Sequence, residues 1–326
     1  MNIYFVVAKV RKHMEWESYW EQLICEKKLQ DKVNNMDVID RERDGKTRIK
    51  DICHDIYNDY DNYCEELEKI RMDLLKMVET FPGVHLQTSR VKQLDSLLEK
   101  VITKRHQHLL DAENLYSIID VDNYKDILTD LIGIRLIISY RGKWKDIHES
   151  ILQRFPYSSD KNIYVDGKFV PHPSDGAGIM AEIPKAYYAY GDDVTMYKKA
   201  GIRVSLKENG YRSIHYVISF QKTYVEIQIR TIYDEAWSDC DHSYVYKHED
   251  NLSYSALKEL SEVLCMLTNV SNDLGEEMRE IYESVLICEM DGNYKTKESV
   301  ILQINRLSDR IKVTQQKLEQ FRKRLT

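Results

Sequence analysis

Glycine and proline are scarce: 12 and 5 of the 326 residues. So few breakers argue for long regular elements and against elaborate loops. No window approaches 18 consecutive apolar residues, which excludes a transmembrane helix. The six cysteines include no C-x-x-C pair, so buried free thiols are expected rather than a disulfide framework or a zinc site. No G-x-x-x-x-G-K-[ST] run is present, which excludes a P-loop mechanism. Positive charge is not in excess, with a formal net charge of -7 and a pI near 5.9. A globally basic nucleic-acid binder is thereby set aside, although local basic patches can still act. The opening MNIYFVVAKVRKH runs apolar before charged, the wrong order for a secretory signal. Cytoplasmic location and no membrane contact are the expectations.

What is present is a chain 43% hydrophobic and 31% charged with mean hydropathy -0.53. That composition suits a soluble globular protein of two or three domains, or one domain with helical additions. Tyr4 to Val10 reads as a strand. A Trp-containing helical stretch and the polar segment DRERDGKTRIKD complete residues 1–49. From about 51 to 80, Ile52, Ile56, Tyr60, Tyr63, Leu67, Ile70, Leu74 and Met77 recur at three and four, one apolar helical stripe. Phe81-Pro82-Gly83 ends it. A helix is expected from about 91 to 105, a central strand at 131–140 and another helix at 143–154. Residues 156–200 are rich in Tyr, Asp, Gly and Pro, with a hairpin expected around Val165–Lys168. Strands follow near 202–206, 214–220 and 223–231, the last two joined at Gln221-Lys222. The remainder reads as helix, interrupted near Asp291–Asn293. Val300, Ile304, Leu307, Ile311, Thr314, Leu318, Phe321 and Leu325 form a heptad track.

Three constellations carry chemistry. In VEIQIRT, Val225, Ile227 and Ile229 face the core, so Glu226, Gln228 and Arg230 line the other face. Asp130 stands just ahead of the central strand, which carries Gly133 and Arg135. An acid there with a second acid on a neighbouring strand can hold Mg²⁺, which takes one or two carboxylates plus phosphate oxygens and water. In the run SRVKQLDSLLEK, Lys92, Ser96 and Lys100 are spaced to share one helical face, with Arg90 at its start. Two ammonium groups, a hydroxyl and a helix N-terminus make a polyphosphate cradle.

In combination, S-R-V-K-x-x-x-S-x-x-x-K, D-L-I-G-I-R, K-E-N-G-Y-R-S-I-H-Y, V-E-I-Q-I-R-T and A-W-S-D-C-D-H-S-Y-V-Y-K, in that order, resemble the RelA/SpoT-type alarmone synthetases, as a small member with one synthetase domain. The resemblance covers residues 50–250. It implies an α+β fold, a nucleotidyltransferase-like mixed β-sheet flanked by helices, with a 1–49 extension and a 251–326 helical region outside it. It implies transfer of the β,γ-pyrophosphate of ATP to the 3′-hydroxyl of GDP or GTP, giving ppGpp or pppGpp, the signals of the stringent response. By the same resemblance Asp130 and Glu226 are catalytic and bind Mg²⁺, with Glu226 the general base. Arg90 and Arg135 sandwich adenine, and Lys92, Ser96 and Lys100 contact the ATP phosphates. Tyr211 stacks on guanine, and Lys207 fits the family pattern beside it. Arg212, His215, Gln228, Arg230 and His242 occupy motif positions assigned to acceptor binding or site support.

The chain departs from the family pattern at residues 156–200, which read as an insertion just ahead of the acceptor loop. Residues 306–326 carry seven Lys/Arg against two Asp/Glu, a basic tail that suits a solvated helix or an RNA backbone. Two further readings therefore stand beside alarmone synthesis. One is a toxin-like relative placing pyrophosphate on another acceptor, such as the tRNA 3′ end or an adenine nucleotide. The other is a nucleotide-sensing protein without turnover. Homo-oligomers through the terminal helices, and a protein regulator or antitoxin, are the partners considered. Cys53-His54-Asp55 holds the "HD" pair of the hydrolase domain found in long family members. A metal hydrolase needs several more ligands, and only His13 precedes His54, so product degradation is not expected.

Overall fold

The structure is a computed structural model, and it describes residues 15–43, 48–111, 113–160, 163–164, 169–245 and 254–291, with single helical positions between 298 and 319. The expected strand at Tyr4–Val10, the hairpin at Val165–Lys168 and the heptad track from Val300 lie outside the described residues.

Two helices, α1 (Trp16–Glu26) and α2 (Gln30–Arg43), precede the 30-residue α3 (Ile49–Val78). On α3 the buried side chains Ile49, Cys53, Ile56, Tyr60, Leu67, Ile70, Leu74 and Val78 fall on one stripe, which is why so long a helix holds to the body. Leu67 is wholly buried, and its truncation to alanine costs about 2–5 kcal/mol by the usual cavity argument. His54 lies against the Trp16 ring at 4.8 Å, in an aromatic cluster with Tyr57 and Tyr19. Gly83, at φ +82°, closes the turn after α3 in the left-handed region.

The next element departs from expectation. Residues Val84–Val91 form a strand, β1, and the helix α4 begins only at Leu94, running to Gln107. Arg90 is therefore a strand residue, and Lys92 lies in the connection. The backbone N–H of Lys92 still bonds the carbonyl of Leu131 at 2.8 Å, extending the ladder. This corrects the shared helical face: only Ser96 and Lys100 are on α4.

After a 3₁₀ turn (Leu115–Ile118) and the short α5 (Tyr124–Ile127) comes β2 (Ile132–Ile138), then α6 (Trp144–Arg154). Residues 156–200 supply β3 (Ile179–Met180), β4 (Lys185–Tyr188) and α7 (Thr195–Lys199). β5 (Arg203–Leu206), β6 (Ser213–Phe220) and β7 (Thr223–Thr231) follow. α8 (Ile232–Tyr244) and the 38-residue α9 (Tyr254–Asp291) end the described chain.

The strands make one mixed sheet in the order β1-β2-β7-β6-β4-β5, with β3 also on β6. β2 and β7 are parallel, as are β4 and β5, and the remaining pairs are antiparallel. The architecture is α+β, a mixed sheet with helices against it. β6 and β7 are joined by Gln221 and Lys222, both at positive φ, the backbone a two-residue type I′ hairpin turn requires. Ile214, Tyr216 and Ile218 of β6 with Val225, Ile227 and Ile229 of β7 bury one sheet face in the main core.

The N-terminal helices brace α4. Tyr19 donates to Asp95 at 2.7 Å, Lys27 pairs with Glu99 at 2.6 Å, and Lys32 reaches Thr103 at 3.2 Å. No described helix is long and apolar enough to cross a membrane.

Candidate active site

The alternation of β7 sets the floor of the site. With Val225, Ile227 and Ile229 turned into the core at no more than 1% exposure, Glu226, Gln228 and Arg230 must line the opposite face. The register aligns Glu226 with Gly133 on β2 and Gly133 with Arg90 on β1. It likewise aligns Gln228 with Arg135 on one side and His215 on the other. Gly133 places no side chain between Arg90 and Glu226, and a Cβ there would sit 3.8 Å from the Arg90 Cγ and Nε. The floor therefore stays open beneath the Arg90 guanidinium. Arg90, Asp130, Arg135, Glu226 and Gln228 are among the residues bounding a cavity of about 170 Å³. Pockets for drug-sized ligands run to roughly 300–1,000 Å³, so this one suits phosphate groups and leaves any base on the open face.

At the cavity's end Asp130 lies between two ammonium groups. Lys92 Nζ is 2.8 Å from Oδ2 and Lys100 Nζ is 2.8 Å from Oδ1. Burial works to raise the Asp130 carboxyl, but the Lys100 and Lys92 charges outweigh it and hold it at about 2. For Lys92, nearly buried, desolvation wins over the Asp130 charge and lowers its ammonium. Tyr60 fixes this corner from α3 by donating to the Lys92 carbonyl at 2.7 Å.

Glu226 is the second carboxylate. His215 Nδ1 lies 2.9 Å from its Oε1, and Gln228 Nε2 donates to Oε2 at 2.6 Å. Burial and the charge of Asp130 push Glu226 upward, yet the His215 and Gln228 bonds prevail and its carboxyl falls below the ordinary value. Beyond His215 the network is directional. Arg230 Nη2, which can only donate, bonds the Tyr211 hydroxyl at 2.7 Å. The Tyr211 hydrogen is then left for His215 Nε2 at 3.0 Å, which puts the imidazole proton on Nδ1, facing Glu226. Arg230 also donates to Gln228 Oε1 at 2.8 Å and lies 5.0 Å from the Tyr211 ring centroid.

Two residues not singled out from sequence complete this region. Glu235, in the first turn of α8, accepts from Arg135 at 2.7 Å and from Arg230 at 2.9 Å, tying the two arginines together. Its only local signal was an acid in a helix's first turn, which also suits the dipole alone. α8 starts where it does because Thr231 caps the Asp234 N–H at 3.0 Å. Tyr187 of β4 lies 4.7 Å from the His215 ring and 5.8 Å from the Tyr211 ring, and Lys207 Nζ lies 4.8 Å above it. Lys207 thus stands beside the Tyr211 loop.

Arg212 is placed elsewhere. It makes a two-pronged pair with Asp192 at 2.7 and 3.1 Å, and also donates to the Gly210 carbonyl at 3.1 Å. Both partners of the pair are at most 10% exposed, so Arg212 holds the loop rather than the cavity. Ser96 is half-buried on α4, and His242 is exposed in the last turn of α8; neither lines the cavity.

The described residues hold no cluster of three or more His, Cys, Asp or Glu able to bind a metal. A metal here would rest on Asp130 and Glu226, with ligand oxygens and water completing its shell, a donor set that fits Mg²⁺. Asp130 Oδ1 has the Lys100 charge beside it but no well-directed hydrogen bond, leaving an acceptor oxygen with capacity to spare.

A profile of the region found in RelA / SpoT proteins matches residues 89–251, half of the chain. GTP pyrophosphokinase YjbM of Bacillus subtilis (strain 168) is 30% identical over 115 residues, 33% of this chain and 53% of the relative. The match thus spans about half the length of that curated relative. Among solved structures, a GTP pyrophosphokinase family protein from Streptococcus pneumoniae aligns with TM-score 0.44 and 17% identity, over 69% of this chain and 93% of the other. Small alarmone synthetase 1 from Bacillus subtilis aligns with TM-score 0.40 and 20% identity, over 67% and 94%.

Proposed function

This chain belongs to the RelA/SpoT family, and on that premise we propose that it is a GTP pyrophosphokinase, transferring the β,γ-pyrophosphate of ATP to the ribose 3′-hydroxyl of GDP or GTP. The observation that carries this reading is Glu226: a largely buried carboxylate, held ionised, on the same small cavity as Asp130 and two arginines.

The 3′-oxygen attacks the β-phosphorus, the bond from that phosphorus to the α-phosphate oxygen breaks, and AMP leaves. The hydroxyl proton passes to Glu226. A carboxylate whose two oxygens already accept from His215 and Gln228 is fixed in direction and ionised at neutral pH, as a general base must be. Little covalent help is needed; phosphate charge must be cancelled and the two substrates aligned. Lys92 and Lys100 supply charge at one end of the cavity. When ATP binds, they exchange part of their hold on Asp130 for phosphate oxygens. Arg90 and Arg135 offer planar guanidinium faces for adenine. Tyr211, braced by Arg230, offers its ring to guanine, with Lys207 and His215 beside it. Asp130 and Glu226 would hold Mg²⁺, which when bound neutralises charge on the transferring phosphates. Arg212 serves by holding the loop that carries Tyr211.

The test is purified protein with ATP labelled at the γ-phosphate and Mg²⁺, with GDP, GTP, ATP and bulk tRNA offered separately. The reading expects label on a guanine nucleotide. Label chiefly on tRNA or an adenine nucleotide would replace it with a different acceptor. No transfer to any acceptor would count against an enzyme.

A further inference from the structure

Arg90 and Thr88 stand on the site face of β1, with Gly133 and Arg135 beside them on β2. The antiparallel register sets Arg90 opposite Gly133 and Thr88 opposite Arg135, so the two arginines occupy diagonal corners of a rectangle. Diagonal neighbours on an antiparallel pair are roughly 7–8 Å apart, about twice the 3.5–4.0 Å at which carbon atoms pack. One planar ring therefore fits between the two guanidinium groups. Gly133 leaves its corner open, and that corner is the one nearest the second carboxylate, since Gly133 lies opposite Glu226 on β7. Thr88 is the corner farthest from Glu226, and it bounds the same cavity.

Stacked guanidinium faces hold any planar base; telling one base from another takes a hydrogen-bonding group at its rim. The polar side chains around this rectangle are already engaged. Ser89 accepts from Arg71 at 2.6 Å, Arg135 donates to Glu235 at 2.7 Å, and Gln228 is bonded to both Glu226 and Arg230. The Thr88 hydroxyl makes no hydrogen bond to a described residue and is exposed at the cavity's rim. A purine nucleotide whose phosphates run toward Lys92, Lys100 and Asp130 brings its ribose over Gly133. The ribose is attached to the five-membered ring, so the six-membered ring, with the amino group of adenine, points at Thr88. We propose that Thr88 is a specificity-determining residue for the donor base, its hydroxyl oxygen accepting a hydrogen bond from that amino group. The inference rests on the donor site assigned above. The bond replaces one to water, so it is worth about fivefold in affinity rather than an all-or-none selection.

The experiment measures binding to the full chain by calorimetry, with Mg²⁺ and no acceptor present, so the readout needs no transfer. The two probes are ATP and purine riboside 5′-triphosphate, which is ATP without the amino group. The wild type should bind ATP about fivefold more tightly than the analogue. Thr88→Val keeps a β-branched side chain at an exposed strand position, which preserves the fold. It should lose about fivefold in ATP affinity, hold the analogue as before, and so bind the two alike. Thr88→Ser, which keeps a hydroxyl, should retain the preference. A Thr88→Val protein that still prefers ATP would overturn this inference alone. Equal weakening of both probes would overturn it too, since the loss would then have nothing to do with the amino group. Failure of the wild type to bind either triphosphate would instead overturn the donor-site reading, and this inference with it.

Discussion

Glu226 and Tyr211 are joined through one imidazole. His215 presents Nδ1 to the Glu226 carboxylate at 2.9 Å and Nε2 to the Tyr211 hydroxyl at 3.0 Å. Under the proposed reaction, the ring that would stack on the acceptor's guanine and the carboxylate that would take its ribose proton are thus set by the same side chain.

Loss of His215 should therefore change the pH profile. As the proposed base Glu226 would work only when ionised, so activity should fall as pH drops through its pKa, which His215 helps hold below the ordinary carboxylate value against the upward push of burial and Asp130. In the wild type the acid limb of kcat/KM lies below the ordinary glutamate range. In His215→Ala the larger restraint is gone, the Gln228 bond alone opposes burial, and the limb moves to higher pH. A limb unmoved between the two proteins would show that Glu226 does not govern it.

Arg212 should matter first for folding. It and Asp192 are a buried pair, and removing one partner strands the other's charge. Asp192→Ala or Arg212→Ala should cost about 3–5 kcal/mol in urea unfolding, while an apolar replacement of both together recovers much of it. If Arg212→Ala instead kept full stability and raised only the KM for acceptor, Arg212 would be a substrate contact.

Gly210 is constrained twice. Its φ is +87°, and a Cβ would lie 2.5 Å from the Cys265 sulfur. Gly210→Ala should lower stability by about 1–2 kcal/mol from the backbone cost and the contact together. Adding Cys265→Ala should return the contact share and leave the backbone share. Thermal unfolding of the single and double variants separates the two.

These cases mark what could be read from the sequence. β7 was legible because period-two alternation is unambiguous when one face is wholly apolar, and it placed Glu226, Gln228 and Arg230 together. β1 was not. In VHLQTSRV only Val91 is buried, so this edge strand offers no clean alternation, and the spacing of Lys92, Ser96 and Lys100 imitates a helix that begins two residues later. The resemblance still named Lys92 and Lys100, and the structure brings both to Asp130 by a strand end and a helix. Asp192 had no local signal at all. Its partner lies twenty residues on with α7 and β5 between, and only the tertiary fold makes them neighbours. Glu235 was hidden for the opposite reason, since its position at a helix start already had an explanation.

The most direct measurement of the central claim is single-turnover transfer from γ-labelled ATP to GDP and GTP by the wild type and by Glu226→Gln, which keeps the size of the side chain and its place beside Gln228. The account predicts labelled guanine nucleotide from the wild type and a rate lower by about 10²–10⁴-fold in the variant, with thermal unfolding confirming that both are folded. Equal rates, with the variant folded, would contradict the assignment of Glu226 as the base and of this cavity as the place where transfer occurs.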